Sequence, residues 1–305
     1  AYGGPPAQML KNALQRPGNL KDMGKFERSW ALMKSSANIL RQDKELMLFP
    51  LLAGICSLIV IATFGWPVFA SLRHHHTEFE GQRHAALPPL VMLLGFVFYF
   101  VQYAVVIFFN TALASAALIR LGGGNPTLGD GLRAAMGKLP SILGYALISA
   151  TVGVILRAVQ ERLGLIGRIV IGMLGFGWSV ATFLVVPVLA AQDIGPVEAV
   201  KRSASLLKGT WGENVIGNAG IGVVGGVLTF CLVAVSLILF GAAVSTQSVP
   251  LMVAVGVVGV VGLVVLSLFQ TAMHGVYSAA LYRYAQEGDP GQGFDRALLE
   301  SAFRP

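Results

Sequence analysis

The stretch NVIGNAGIGVVGGVLTFCLVAVSLILFGAAVSTQSVPLMVAVGVVGVVGLVVLSLFQTAMHGVYSAALY, residues 214–282, holds no Asp, Glu, Lys or Arg across 69 positions. As one helix it would be roughly 100 Å long, whereas about 20 apolar residues already cross the core of a bilayer. A break is therefore required. The segment Gly241-Ala-Ala-Val-Ser-Thr-Gln-Ser-Val-Pro250 is polar and turn-forming, and it divides the run into two spans, 215–240 and 250–282. Both are apolar on every face. The strands of a membrane barrel would alternate apolar and polar residues instead.

The same criterion locates four spans upstream, because an ion left in hydrocarbon is costly. They are 47–72, 89–119, 141–159 and 169–190. Pro88-Pro89 marks the start of the second, since a first-turn proline wastes no N–H. Arg157 falls late in the third, from where its long side chain can snorkel to the interface. The expected fold is an all-α, polytopic membrane bundle of six transmembrane helices over 46–282. A tail (1–22) and an amphipathic helix (23–45) precede it, and a second tail (283–305) follows.

Composition agrees with this reading. Of 305 residues 12% are charged and 55% are apolar, and the mean hydropathy is +0.70. Such a chain is neither a disordered, a collagen-like nor a disulfide-stapled secreted protein. Cys56 and Cys231 both fall inside spans, so they read as small packing residues.

Orientation follows from the segments between spans. Lys11, Arg16, Lys21, Lys25, Arg28, Lys34, Arg41 and Lys44 precede the first span. Arg120, Arg133 and Lys138 lie between the second and third, and Lys201, Arg202 and Lys208 between the fourth and fifth. Arg283, Arg296 and Arg304 close the chain, so this side carries 17 of the 22 Lys and Arg. The other side carries Arg73, Arg83, Arg157, Arg162 and Arg168. Both termini are expected in the cytoplasm. The first 45 residues have no apolar core of a cleavable signal, so the net charge of +7 reads as a juxtamembrane skirt for anionic lipid headgroups. No nucleic-acid-binding motif accompanies it, and no nucleic-acid partner is expected.

Each cytoplasmic segment also carries an amphipathic helix ahead of a span. Phe26, Trp30, Met33 and Ile39/Leu40 form the first stripe. Thr127-Leu-Gly-Asp130 resembles a capping box and leads the second, Leu132, Ala135, Met136 and Leu139. Pro196 at the first helical position and Glu198 open the third, with Val197, Val200, Ala204 and Leu206/Leu207. Two readings stand side by side: three units, each an interfacial helix plus two spans, or ordinary cytoplasmic loops with some helix, the units sharing little identity. The interfacial helices would lie in the headgroup plane, apolar stripe toward the lipid.

Candidate chemistry is sparse. In the outer loop, His74, His76, Glu78 and Glu80 are possible metal ligands. Three adjacent histidines, however, cannot all turn to one ion in regular structure. The plainer reading is a solvated loop. His274 is the one histidine inside a span, hence a candidate cofactor ligand or proton relay, with Gln270 and Tyr277 as neutral partners. No intramembrane carboxylate or cation accompanies it, so a packing role is the plainer reading and no cofactor is expected. Gln102 and Asn110 read as interhelical hydrogen-bond formers. Gly222 and Gly226 share small-xxx-small spacing, and Gly256, Gly259 and Gly262 share one face, so these are candidate helix-packing glycines. All 15 acidic residues lie outside the spans, and no nucleophile elbow, nucleotide loop, paired catalytic carboxylate or HExxH occurs.

Trp30-Ala-Leu-Met-Lys-Ser-Ser-Ala-Asn-Ile-Leu40, Asp43-Lys-Glu-Leu-Met-Leu-Phe-Pro50 and Trp211-Gly-Glu213 lie toward the starts of spans. Ala280-Leu-Tyr-Arg-Tyr-Ala285, Gly288, Phe294-Asp295 and Ala302-Phe303 close the chain. From Phe26 onward the sequence resembles an uncharacterised family of bacterial six-span integral membrane proteins. The resemblance implies a bacterial inner membrane and six spans. It transfers no functional residue, and the histidine loop is outside its pattern.

The expectation is a non-enzymatic membrane protein, an accessory or scaffolding subunit of a larger assembly or a membrane-organising factor. Its partners would be the bilayer, anionic lipids and other membrane proteins. A small-solute transporter or channel is the alternative. A membrane-embedded lipid enzyme would rest on the outer His/Glu loop alone.

Overall fold

The computed structural model describes residues 25–74, 89–211, 220–294 and 296, and every regular element among them is helical. In chain order these are α1 (Lys25–Gln42), a short 3-10 turn (Lys44–Met47), α2 (Leu48–His74), α3 (Pro89–Leu121) and α4 (Leu128–Gly137). Then come α5 (Leu139–Arg162), α6 (Leu165–Ala181), α7 (Val185–Ala191), α8 (Pro196–Trp211), α9 (Gly220–Ser245) and α10 (Val249–Glu287). Six stretches are long and apolar enough to cross a membrane, one of them formed jointly by α6 and α7. The protein is an all-helical, multi-pass bundle.

Two details differ from the sequence expectation. The turn between the last spans is narrower than 241–250, because α9 continues through the helix-favouring Ala242 and Ala243 to Ser245. Ser245 and Thr246 donate their hydroxyls back to the carbonyls of Ala242 and Ala243, at 2.7 Å each. Gln247, at φ 54°, then reverses the chain, and Pro250 sits in the first turn of α10. Secondly, α10 runs to Glu287 rather than ending near 282. Gly288 stops it in a left-handed conformation, φ 72°, with its N–H bonded to the Tyr284 carbonyl at 2.8 Å.

The segments between alternate spans gather at one end of the bundle, here called the base. Arg120 donates to Gln42 at 3.0 Å, and the Leu128 N–H donates to the Glu45 carboxylate at 2.8 Å. Lys138 pairs with Asp193 at 3.2 Å, and Arg202 donates to Gln286 at 2.7 Å. The Gln292 N–H reaches the Leu121 carbonyl at 2.9 Å. Segments separated by up to 171 positions in sequence are thus stitched together.

The buried core lies at this base. Between spans in lipid there is little hydrophobic drive, so small residues that admit close backbones carry the packing. In α3, Ala112, Ala114, Ala116 and Ala117 are fully buried. A side chain at Gly275 of α10 would strike Leu113, and one at Gly131 of α4 would strike Phe49 at 2.5 Å and the Ala112 carbonyl at 2.7 Å. Toward the other end the helices open out. From Val249 to Gln270 no residue is buried.

The amphipathic helices sit differently from the headgroup-plane expectation. Leu32, Met33, Ile39 and Leu40 of α1, Ala135 of α4 and Ala199, Leu206 and Leu207 of α8 all enter the common core. Met136 and Val197 remain exposed. The bundle's own core, rather than lipid alone, takes up these residues of the stripes. The anticipated capping box is present: the Asp130 N–H donates to Thr127 Oγ1 at 3.2 Å, and the Thr127 N–H donates to Asp130 Oδ2 at 3.0 Å.

Candidate functional site at the break in the fourth span

The fourth span was expected as one helix over 169–190, and it is broken instead. The cause is Pro187. In a continuous helix its ring would collide with the Phe183 carbonyl, and it has no N–H to give. The chain tightens at Thr182–Leu184, where the Phe183 N–H bonds Val180 O and the Val185 N–H bonds Thr182 O, both at 3.1 Å. Pro187 then falls in the first turn of α7, where a missing N–H is harmless.

Such a break frees backbone groups where water is scarce, and an unpaired buried group costs about 1–3 kcal/mol. Ser203 of α8, fully buried, resolves two of them. Its hydroxyl donates to the Ala181 carbonyl at 2.7 Å and accepts from the Leu184 N–H at 3.1 Å. α8 is thereby keyed into the fourth span. Tyr145 of α5, 7% exposed, brings its hydroxyl beside Thr182 and Ser149. Below the break, Gln192 donates to the Tyr282 hydroxyl at 2.9 Å, tying α7 to α10.

His274 comes to this place. Its imidazole stands edge-on to Phe183, with ring centroids 5.3 Å apart at 72°. The anticipated neighbours do not join it. Gln270 turns to α9, where it donates to the Gly225 carbonyl at 3.0 Å and to Thr229 Oγ1 at 3.1 Å. Tyr277 packs against the apolar core. Among the described residues the contact recorded for His274 is this aromatic one.

His74 is the last residue of α2, while His76, Glu78 and Glu80 lie outside the described residues. No group of three or more His, Cys, Asp or Glu able to hold a metal occurs among the described residues. The Oε1 of Gln102 is buried, with no hydrogen-bond partner among the described residues.

The candidate glycines divide. Cβ atoms at Gly256, Gly259 and Gly262 would stand 3.9, 3.3 and 3.7 Å from Phe240, Ser236 and Leu232. That face therefore runs along α9, with Gly259 tightest. Gly226 has nothing within 4 Å, and its neighbour Gly225 is the one closed in, by Gln270 at 3.2 Å. Gly222 lies in the first turn of α9. Sequence spacing missed Gly131 and Gly275, whose partners sit on other helices.

At the base, Lys34, Arg41, Lys44, Arg133, Lys201 and Lys208 are exposed. Asp130, held by the side chain and backbone of Thr127, titrates below the ordinary carboxylate value.

No curated protein and no solved structure matches this chain. A family profile does match, over residues 90–293, which takes in Ala280–Ala285 but begins beyond the Trp30–Pro50 motifs. The chain belongs to the family of unknown function DUF6159.

Proposed function

We propose that this protein is a non-enzymatic component of a bacterial inner membrane, with its base and both termini in the cytoplasm. Its role would be that of an accessory or scaffolding subunit that presents the α9–α10 hairpin to partner helices. The observation that carries this reading is the exposure of that hairpin. Phe230, Leu237 and Ile238 of α9 and Val253, Val258 and Val261 of α10 are each more than half exposed. They point in several directions, so the outer hairpin packs chiefly on itself along the Gly256/Gly259/Gly262 face. Apolar helices with so little intramolecular contact suit association within the bilayer. The basic base suits anionic headgroups.

The transporter alternative draws on the broken span, since discontinuous helices build solute sites from freed backbone groups. Here Ser203 consumes two of those groups, which argues for a structural break. A photo-crosslinking residue at Phe230, Ile238 or Val258 in native membranes tests the proposal. Discrete protein adducts are expected from the hairpin. Lipid adducts alone, together with solute flux in proteoliposomes of the isolated protein, would overturn it.

A further inference from the structure

A trough of about 680 Å³ runs between α6 and α8, open to the side of the bundle. Ile169, Met173 and Phe176 flank it on α6, and Leu207 and Lys208 flank it on α8. The α6 positions recur at helical i, i+3 and i+4 spacing, so they make one continuous stripe. Gly172 and Gly177 lie in that stripe, and a Cβ at either would meet nothing within 4 Å. The missing side chains leave the trough empty. From Ile169 to Ala181 it extends about 18 Å at 1.5 Å per residue. That is close to one leaflet, half of the ~30 Å hydrocarbon core.

Lys208 is the one ionic group on this lining. It is exposed, and among the described residues it has no ion-pair or hydrogen-bond partner. The nearest acid on α8, Glu198, lies almost three turns away. An apolar slot of leaflet length beside one ammonium, unpaired among the described residues, is complementary to an amphiphile with an acyl chain and an anionic head. A partner helix would need no such charge, and a helix 10–12 Å across would fit a shallower face.

We propose that this trough binds one anionic glycerophospholipid, an acyl chain lying along α6 over Gly172 and Gly177 and the phosphate meeting Lys208. The lysine stem lies on apolar surface while its ammonium reaches the phosphate level. The bound lipid seals α8 onto the fourth span from the bilayer side, opposite the Ser203 lock. This site stands independently of any protein partner of the α9–α10 hairpin.

Native mass spectrometry of the delipidated full chain, titrated with phosphatidylglycerol or phosphatidylcholine, tests the site. The wild type should hold one phosphatidylglycerol about fivefold more tightly than phosphatidylcholine, the effect of one lysine near an anionic headgroup. Lys208→Gln should erase the preference while keeping phosphatidylcholine binding, and Lys208→Arg should retain it. Gly172→Leu with Gly177→Leu should abolish binding of both lipids. Gly95→Leu, on α3 and also facing open space, should bind as the wild type does. A wild type without preference, a preference that survives Lys208→Gln, or undiminished binding to the filled trough would each overturn the proposal. The Lys208 variants change an exposed side chain, so they decide the matter even if the double leucine variant fails to fold.

Discussion

The hydroxyl of Ser203 lies 3.1 Å from the backbone nitrogen of Leu184, joining the amphipathic helix α8 to the break in the fourth span. The same oxygen donates to Ala181 O, so one serine bridges both lips of the break. Ser203→Ala leaves the Leu184 N–H and the Ala181 carbonyl unpaired at a buried position. The expected loss is about 2 kcal/mol, within the range for an orphaned buried group. The check is the thermal midpoint of the purified protein in a mild detergent. In a Pro187→Ala background the break is no longer enforced, so the same serine change should cost less. Equal losses in both backgrounds would mean that Ser203 acts elsewhere.

Glycines that look alike in sequence should respond in opposite ways. Gly131→Ala drives a methyl into Phe49 and the Ala112 carbonyl, and overpacking of this kind costs about 1–3 kcal/mol. Adding Phe49→Leu should recover part of that loss, because the backbone carbonyl stays in the way. Gly226→Ala meets open space and should leave stability unchanged or raise it slightly, alanine being the better helix former. Detergent unfolding midpoints of the three variants read this directly.

The cap of α4 should be sensitive to acid. Asp130 is held below its ordinary value chiefly by the Thr127 hydroxyl and then by the Thr127 N–H, so the folded state favours the carboxylate. The cap's contribution is therefore present above the unfolded value, near 3.8, and is lost as pH falls through the lowered folded value. Amide exchange in the first turn of α4, corrected for intrinsic rates, should accelerate below that point. Asp130→Asn should exchange at a rate nearly independent of pH over the same interval. Thr127→Ala should cost about 1 kcal/mol, as loss of an N-cap does.

The proposed placement of the base in the cytoplasm makes a further prediction. A reporter that matures only outside the cytoplasm should stay inactive when fused after Pro305. The same reporter inserted between Thr246 and Ser248, at the opposite end of the bundle, should be active. An active C-terminal fusion would invert the proposed orientation.

Local signals were readable wherever the physics is local. Charge exclusion marks a span within some 20 residues, which is why six spans were legible. The Thr127/Asp130 box uses a donor and an acceptor three residues apart, and it was read from spacing alone. Pro187 was also on view inside the fourth apolar run. Counting apolar residues hides a backbone defect, however, because a missing N–H does not alter hydropathy. Gln270 shows the limit for side chains: its helix neighbours pointed to His274, yet its hydrogen bonds run 45 and 41 residues back, to α9.

The sequence by itself determined how many segments are long and apolar enough to cross a membrane, where the charge lies and which segments are amphipathic. Each of these follows from transfer energies and helical period, properties a segment carries alone. Only the tertiary structure decided that the amphipathic stripes enter the bundle's own core, that Gly131 and Gly275 rather than Gly226 are closed in, and that Ser203 completes a span broken by Pro187. Those outcomes depend on which backbone approaches which. In a bundle of uniformly apolar helices many approaches bury similar surface, so close contacts and a few satisfied polar groups select among them.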